Sequence, residues 1–330
     1  MAVTKKEIAE YVGVSRSAVS LVLNNTPSST ISEETRKRIL KAAEELGYRT
    51  TAASPKICFV LYGRSPDDPR YMHDLKVVES AASKRQFSTL FMNVQATPDG
   101  HQRLQQFLDK REAEGLILAG DLDETVIRMV QTAGSPSLMF YRGPVDDHAN
   151  LLILDHQKGA YEAVKHLTRI GHRRIAFFSG RLDISVHMEN LQGYYQALEE
   201  AGIPIDKSLI QVSLEEDGYE LAGRTRLLEI EHTAVFCVNT IIQFGALQWL
   251  KENGISVPSQ MSLVGYGYSE LVKLSKPNLT TFYIDPREKE KVVEELLDMI
   301  RKRKTAAPRQ SYLSEIAFYE GGTVALPPQA

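Results

Sequence analysis

The sequence predicts an α/β protein in two unequal parts, a short all-helical head and a long body of two doubly wound parallel-sheet subdomains. Three observations carry that prediction. Apolar residues recur at helical spacing through the first fifty residues, with polar residues and glycine at the breaks. From Ile57 onward, apolar strand-like runs alternate with amphipathic helical stretches, the pattern of parallel α/β units. Finally, 330 residues exceed what a single hydrophobic core ordinarily holds.

The head reads as three helices. In TKKEIAEYVGVS, Thr4 is the N-cap candidate, Ile8, Ala9 and Val12 share a face, and Gly13 breaks the pattern. Ser15 caps a second helix with Ala18, Val19, Val22 and Leu23 inward. After the polar loop NNTPSST, Ser32 caps EETRKRILKAAEELGY, whose Glu33 and Glu34 suit the helix dipole. Leu40, Ala43 and Leu46 continue its apolar face, and Gly47 ends it. In the body the strand candidates are residues 57–62, 88–93, 115–120, 137–141, 174–180, 233–238 and 261–267. Strands so widely spaced divide better between two sheets than one, with the junction near 150–160. The closing TVALPPQA reads as a frayed tail.

A net charge of -3 excludes a uniformly basic nucleic-acid coat but permits a local basic face. Residues 1–50 hold eight Lys and Arg against six Glu, 8 - 6 = +2, so one copy of the head would bind DNA weakly. Cys58 and Cys237 lie in apolar runs and read as reduced core thiols, fitting a reducing cytoplasm. With no signal-peptide pattern and no apolar run of membrane-spanning length, a cytoplasmic protein with no membrane partner is expected.

Catalytic patterns are missing. The eight histidines make no HExxH and no zinc spacing with cysteine, and there is no GxSxG, Walker loop or GxGxxG. The acid pairs Asp67-Asp68, Asp146-Asp147 and Glu215-Glu216 lie in polar stretches and read as solvated, as do the basic residues of GHRR (171–174). The expectation is a protein that is not an enzyme, with no metal and no cofactor.

Two helices joined across a tight glycine turn form a helix-turn-helix candidate, whose second helix enters the major groove of DNA. Ser15, Ser17 and Ala18 are small enough for close approach, and Arg16 can reach guanine acceptors. Pattern alone leaves open a small helical interaction domain instead.

TKKEIAEYVGVSRSAVSLVLNN…ISEETRKRILKAAEELGYR resembles the DNA-binding headpiece of the lactose/galactose-repressor family. The resemblance continues in LDHQKGAYEAVKHLTRIGHRRIAFFSG, QGYYQALEEAGI, ISVPSQMSLVGYGYSEL and PNLTTFYID, and so covers nearly the whole chain. It implies a transcription regulator, a repressor, whose periplasmic-binding-protein-like core holds a small effector between two subdomains. It also implies a homodimer on a pseudo-palindromic double-stranded DNA operator. The expected domains are a helix-turn-helix domain at 1–48, a short atypical hinge at 49–56 and a core at 57–330. Within the core, one subdomain would take 57–155 and 283–310, the other 156–282 and 311–326.

The resemblance also implies site residues. Arg16 and Ser17 fall at the front of the recognition helix. Leu21, where the family often has a polar reader, can offer only apolar contact. Thr4, Ser15, Ser20, Asn24, Ser32 and Thr35 fall on positions that bind or buttress the DNA backbone. The hinge departs from the family: Thr50 replaces the usual proline, Pro55 opposes a helix, and no leucine can wedge the minor groove. Weaker or different DNA bending is expected. Around the cleft the implied residues are Tyr62, Arg64, Tyr71, Arg142, Asp155, Arg181, Asp183, Asn190, Asn239 and Tyr268. Asn190 replaces a sugar-clamping arginine and Gly267 an aspartate, which makes a plain hexose a poor ligand. Three arginines among tyrosines would suit an anionic or aromatic effector. The alternative is a degenerate cleft in a regulator that responds to a protein partner.

Overall fold

The computed structural model describes residues 3–23, 31–46, 54–141, 150–302 and 311–329. They fall into two compact units, Met1–Ser54 and Pro55–Ala330.

The first unit is three helices, α1 (Lys5–Val12), α2 (Arg16–Leu23) and α3 (Glu33–Glu45). Each start is fixed by a hydroxyl that accepts from a backbone N–H left over in the first turn. Thr4 accepts from Glu7 N at 3.3 Å while the Glu7 carboxylate accepts from Thr4 N at 2.6 Å, closing a reciprocal box. Ser15 accepts from Ala18 N at 3.1 Å, and Ser32 from Thr35 N at 3.2 Å. Gly13 ends α1 at φ 72°, a left-handed position that glycine takes without strain. Ile8, Val12, Val19, Val22, Leu23, Ile39 and Ala42 form the core. Leu40, expected in that core, is 48% exposed; Ile39 and Ala42 face inward beside the expected Ala43 and Leu46. Ala18 is half-buried at the core's edge.

The second unit opens with β1 (Lys56–Tyr62), α4 (Pro69–Lys84), β2 (Ser88–Val94), α5 (Pro98–Asp109), β3 (Gly115–Gly120), α6 (Glu124–Ala133), β4 (Ser137–Tyr141) and β5 (Asn150–Ile153). It continues through α7 (His156–Arg169), β6 (Ile175–Ser179), α8 (Ser185–Glu200), β7 (Ile210–Val212), α9 (Gly218–Leu227), β8 (Ala234–Cys237), α10 (Thr240–Glu252) and β9 (Ser262–Tyr266). The last elements are α11 (Leu271–Leu274), β10 (Thr280–Ile284), α12 (Pro286–Arg301), β11 (Ser311–Leu313) and β12 (Ile316–Tyr319).

The strands make two six-stranded sheets, ordered β11-β5-β4-β3-β1-β2 and β12-β10-β9-β8-β6-β7. Every neighbouring pair is parallel except β10 with β12. Parallel strands are covered by helices on both faces, so they read as continuous apolar runs rather than alternating ones. In β1, Ile57, Phe59 and Leu61 pack on one side with Val78 and Val293, while Cys58, Val60 and Tyr62 pack on the other with Leu104 and Val126. Both cysteines are buried, and burial pushes the Cys58 thiol up to about 12.

The chain passes from the first sheet to the second between β5 and α7. It returns after β10, where α12 packs on α4, with Arg85 Nε 2.9 Å from Asp298 and Ser80 Oγ 2.8 Å from Glu290. It crosses again between β11 and β12. Two expectations are thereby corrected. The segment from Ser311 does not lie wholly with the second subdomain, because β11 joins β5 in the first sheet and only β12 joins the second. The closing segment is anchored at its start rather than frayed there: Thr323 is fully buried and donates to Leu263 O at 2.6 Å, and Ala325 N donates to Ser262 Oγ at 3.0 Å. His172 of GHRR is also buried, with Ala325 O 3.0 Å from its Nε2, whereas Arg173 and Arg174 are exposed. The hinge residues at 49–53 lie outside the described residues. No helix among the described residues is long and apolar enough to cross a membrane.

Candidate functional site

In the head unit, the face of α2 opposite its core carries Arg16, Ser17, Ser20 and Leu21. Their spacing of one, four and five residues puts them on one side of the helix. Arg16 and Ser17 are exposed, Ser20 and Leu21 half-buried. Lys5 of α1 reaches Ser20 Oγ at 3.2 Å, so a cation stands beside that face. Ser15 and Ser32 are exposed at their helix starts, Thr35 is half-buried beside Ser32, and Thr4 is exposed at the start of α1. A helix with small residues and an arginine in its first turn, held by two others, can enter a DNA groove.

In the second unit, each sheet reverses its winding, at β1/β3 in the first and β6/β8 in the second. Ligands of doubly wound sheets bind beyond the carboxyl ends of strands at such points. There the chain supplies Arg64 after β1, Asp121 after β3, Gly180 after β6 and Asn239 after β8. Residues from both subdomains line a partly open cavity of about 100 Å³. Its walls are largely rings, Tyr71, His73, His156, Tyr266 and Tyr268, with apolar Leu154, Val186, Val238 and Ile284 between them. The His73 and Tyr268 rings lie 4.9 Å apart, and the Tyr283 ring lies 5.1 Å from Tyr268, tilted by 42°.

Three cationic side chains line this cavity, and each already faces carboxylates. Arg64 Nε lies 2.8 Å from Asp121, and Arg70 lies 2.6 Å from Asp68. Lys289 pairs with Asp74. Both arginines also reach Glu216, at 3.3 and 3.2 Å. Glu216 crosses between the subdomains, because the second subdomain's Asn239 donates to it at 2.7 Å and His187 Nε2 stands 3.5 Å away. Burial alone would raise the Glu216 carboxyl, but Arg70, His187 and Arg64 hold it below the usual carboxylate range. Burial holds the His73 and His187 imidazoles below their ordinary value.

Comparison with known proteins fits both units. Residues 4–51 match the bacterial regulatory proteins of the lacI family, and residues 164–324 match the periplasmic binding protein-like domain. The transcriptional regulator DegA of Bacillus subtilis (strain 168) is 30% identical over 294 residues, covering 85% of this chain and 86% of DegA. The chain belongs to the lacI family of bacterial regulatory proteins. Another lacI-family relative, the transcriptional repressor PurR of Actinobacillus pleuropneumoniae serotype 3 (strain JL03), is 28% identical over 289 residues, covering 85% of each chain. The lac repressor dimer bound to operator and the anti-inducer ONPF shares the fold, with a TM-score of 0.73 at 24% identity over 98% of this chain and all of that one. A complex of the regulator CelR with cellobiose gives 0.71 at 25% identity, over 97% and 99%. The chain is thus a DNA-binding transcription regulator, and the proteins it matches are regulators rather than enzymes.

For this lacI-family chain the cleft residues expected from sequence divide into two groups. Arg64, Tyr71, Asn239 and Tyr268 line the cavity. Tyr62 does not: it is fully buried among Leu104 and Val126, donating to Asp123 with His101 Nε2 at 2.7 Å, because strand alternation turns it to the opposite face of the sheet. Asp155 caps α7, accepting from Lys158 N at 2.8 Å. Arg181 is exposed and bonded to Asp183 at 3.0 Å rather than aimed inward. Asn190 is sealed inside α8, donating to Val186 O at 2.6 Å. Arg142 and Asn24 lie outside the described residues, so the expected trio of arginines does not assemble among the described ones.

Sequence reasoning missed Arg70, His73, Asp74, His187, Glu216 and Lys289. Glu216 and Asp68, expected to be solvated, have side chains only 13% and 10% exposed, because each meets an arginine. The one local signal was Asp68-Pro69-Arg70 in the connection that follows β1, a helix start at a carboxyl edge.

Proposed function

We propose that the chain is a repressor that binds a pseudo-palindromic operator as a homodimer and is controlled by a neutral, ring-shaped effector in its interdomain cleft. Arg16 and Ser17 would read base edges, with Leu21 offering apolar contact and Ser20 beside it. Thr4, Ser15, Ser32 and Thr35 would hold the phosphate backbone. Pairing follows from the head's small positive surplus, since a weak single reader gains affinity and specificity by doubling. An effector acts by binding one angle between the subdomains better than another.

One observation carries the choice of ligand: every cation lining the cavity already faces a carboxylate, while the rings, the two unpartnered nitrogens of His73 and the Arg64 Nε, which makes no hydrogen bond, are left to meet a ligand. This favours a flat, hydrogen-bonding neutral molecule over the anion that three arginines would have suited. The cavity's small volume is what favours the second reading, a cleft without a ligand in a regulator moved by a protein partner.

A thermal-shift panel of nucleobases, nucleosides, disaccharides and sugar phosphates tests the two, followed by DNA retention with any hit. A neutral ring compound should stabilise the body, by about 2.7 kcal/mol at a hundredfold excess over its Kd, and change operator affinity. Stabilisation by sugar phosphates alone would contradict the choice of ligand, and a flat panel would favour the partner.

A further inference from the structure

We propose that Glu216 is the selectivity gate of the cleft, an internal carboxylate that fills the anion position built by Arg64 and Arg70 and so bars phosphorylated and carboxylate ligands. The inference rests on the reading of the cleft as a ligand site.

The geometry is that of a bound anion. Two guanidinium groups of the first subdomain converge on one carboxylate, at 3.3 and 3.2 Å, while Asn239 of the second subdomain donates to it at 2.7 Å. An incoming phosphate would need those same donors, since guanidinium pairs and a side-chain amide are what recognise phosphate oxygens. The competitor is tethered, so a free anion must outbid an effective concentration of order millimolar or above. Charge opposes it as well. Arg64, Arg70 and Lys289 already face Asp68, Asp74, Asp121 and Glu216, leaving the group at 3 - 4 = -1 before any ligand arrives.

The loop is built to deliver this side chain. Glu216 sits at φ 55°, a left-handed conformation uncommon for a residue with a β-carbon. Ser213 holds it there, accepting from Asp217 N at 3.1 Å and donating to Glu220 at 2.8 Å, while Asp217 caps α9. Across the gap Gly180 carries no side chain, and a β-carbon there would stand 2.8 Å from Glu216 Cγ. Removing the carboxylate would free the side of each arginine that faces Glu216, with Asp121 and Asp68 still paired to them, and open that position to a small anion.

Inorganic phosphate is the probe, titrated into the full chain at matched ionic strength and read by thermal melt and calorimetry. The wild type should show no phosphate-specific stabilisation at millimolar concentrations. Glu216→Ala should melt lower without phosphate, recover with it, and bind it at least tenfold more tightly than the wild type. Adding Arg64→Ala to that variant should abolish the gain. Glu216→Gln, which removes the charge but still fills the position, serves if the alanine variant does not fold, and should show a smaller gain of the same sign. Equal phosphate affinity in wild type and variants, or a cooperatively folding variant with no gain, overturns the gate. A neutral ligand that binds the wild type without any phosphate gain in the variants would sink the gate alone. The reverse pattern would sink the neutral-ligand reading and leave the gate standing.

Discussion

Replacing Gly180 with alanine should destabilise the body by driving a methyl group into the Glu216 assembly. The new β-carbon would lie 2.8 Å from Glu216 Cγ and 2.8 Å from His187 Nδ1, with Cε1 of the same ring closer still. Carbon contacts settle near 3.5–4.0 Å, so both neighbours must retreat by roughly 0.7 Å or more. His187 has little room, being 2% exposed and held with Nδ1 donating to Arg181 O at 2.8 Å. Overpacking costs about 1–3 kcal/mol, and lengthening the pairs to Glu216 should place this case in the upper half of that range. At about 2–4 °C per kcal/mol, the melting temperature should fall by roughly 4–12 °C. A thermal double-mutant cycle with Glu216→Ala sharpens the test. Truncating Glu216 removes one of the two clashes, so the double variant should lose less than the sum of the single losses, by about 0.5 kcal/mol or more. A Gly180→Ala protein that melts with the wild type, or losses that simply add, would refute the close approach.

Acidification should destabilise the body. Burial holds His73, His166, His172, His187 and His232 below their ordinary value, so the unfolded chain takes up those protons first and stability falls as pH drops through about 6.5. Glu216, held low against its burial, acts in the same direction at lower pH. Urea midpoints that rise on acidification from about pH 8 to about pH 5 would contradict the assignment. Tyr62→Phe should cost about 1.5–3 kcal/mol by stripping Asp123 of its phenol donor, yet leave cleft binding unchanged; a loss of affinity in calorimetry would return Tyr62 to the site. Thr4→Ala should weaken the head by about 1 kcal/mol, seen as faster amide exchange in α1 with the body's melt unmoved; equal protection in both proteins would dismiss the capping box.

The head's helix starts and most of its core were legible because capping and helical periodicity are local. Leu40 was misplaced because Ile39 and Leu40 are adjacent apolar residues, and only packing decides which of them faces inward. The long central strands were legible as continuous apolar runs, whereas β5, β7, β11 and β12 span three or four residues each and leave little pattern to read. The site was legible only close to strand ends: Arg64 and Asn239 each lie just past one residue that follows β1 or β8. Glu216 was not, because its local surroundings are polar and its arginine partners lie about 150 residues earlier. Tyr62 was read on the wrong face, since alternation along β1 separates two faces without saying which one meets the cleft.

Selecting binding sites from a randomised DNA pool, with the wild type and an Arg16→Ala, Ser17→Ala double variant side by side, measures most directly whether α2 reads DNA. The variant's circular dichroism and melt should match the wild type, since both side chains are exposed. The wild type should enrich a two-fold related sequence, and the variant should lose preference at paired positions, each lost contact worth about 1–3 kcal/mol. A folded variant that enriches the same sequence to the same degree would show that this helix face does not do the reading.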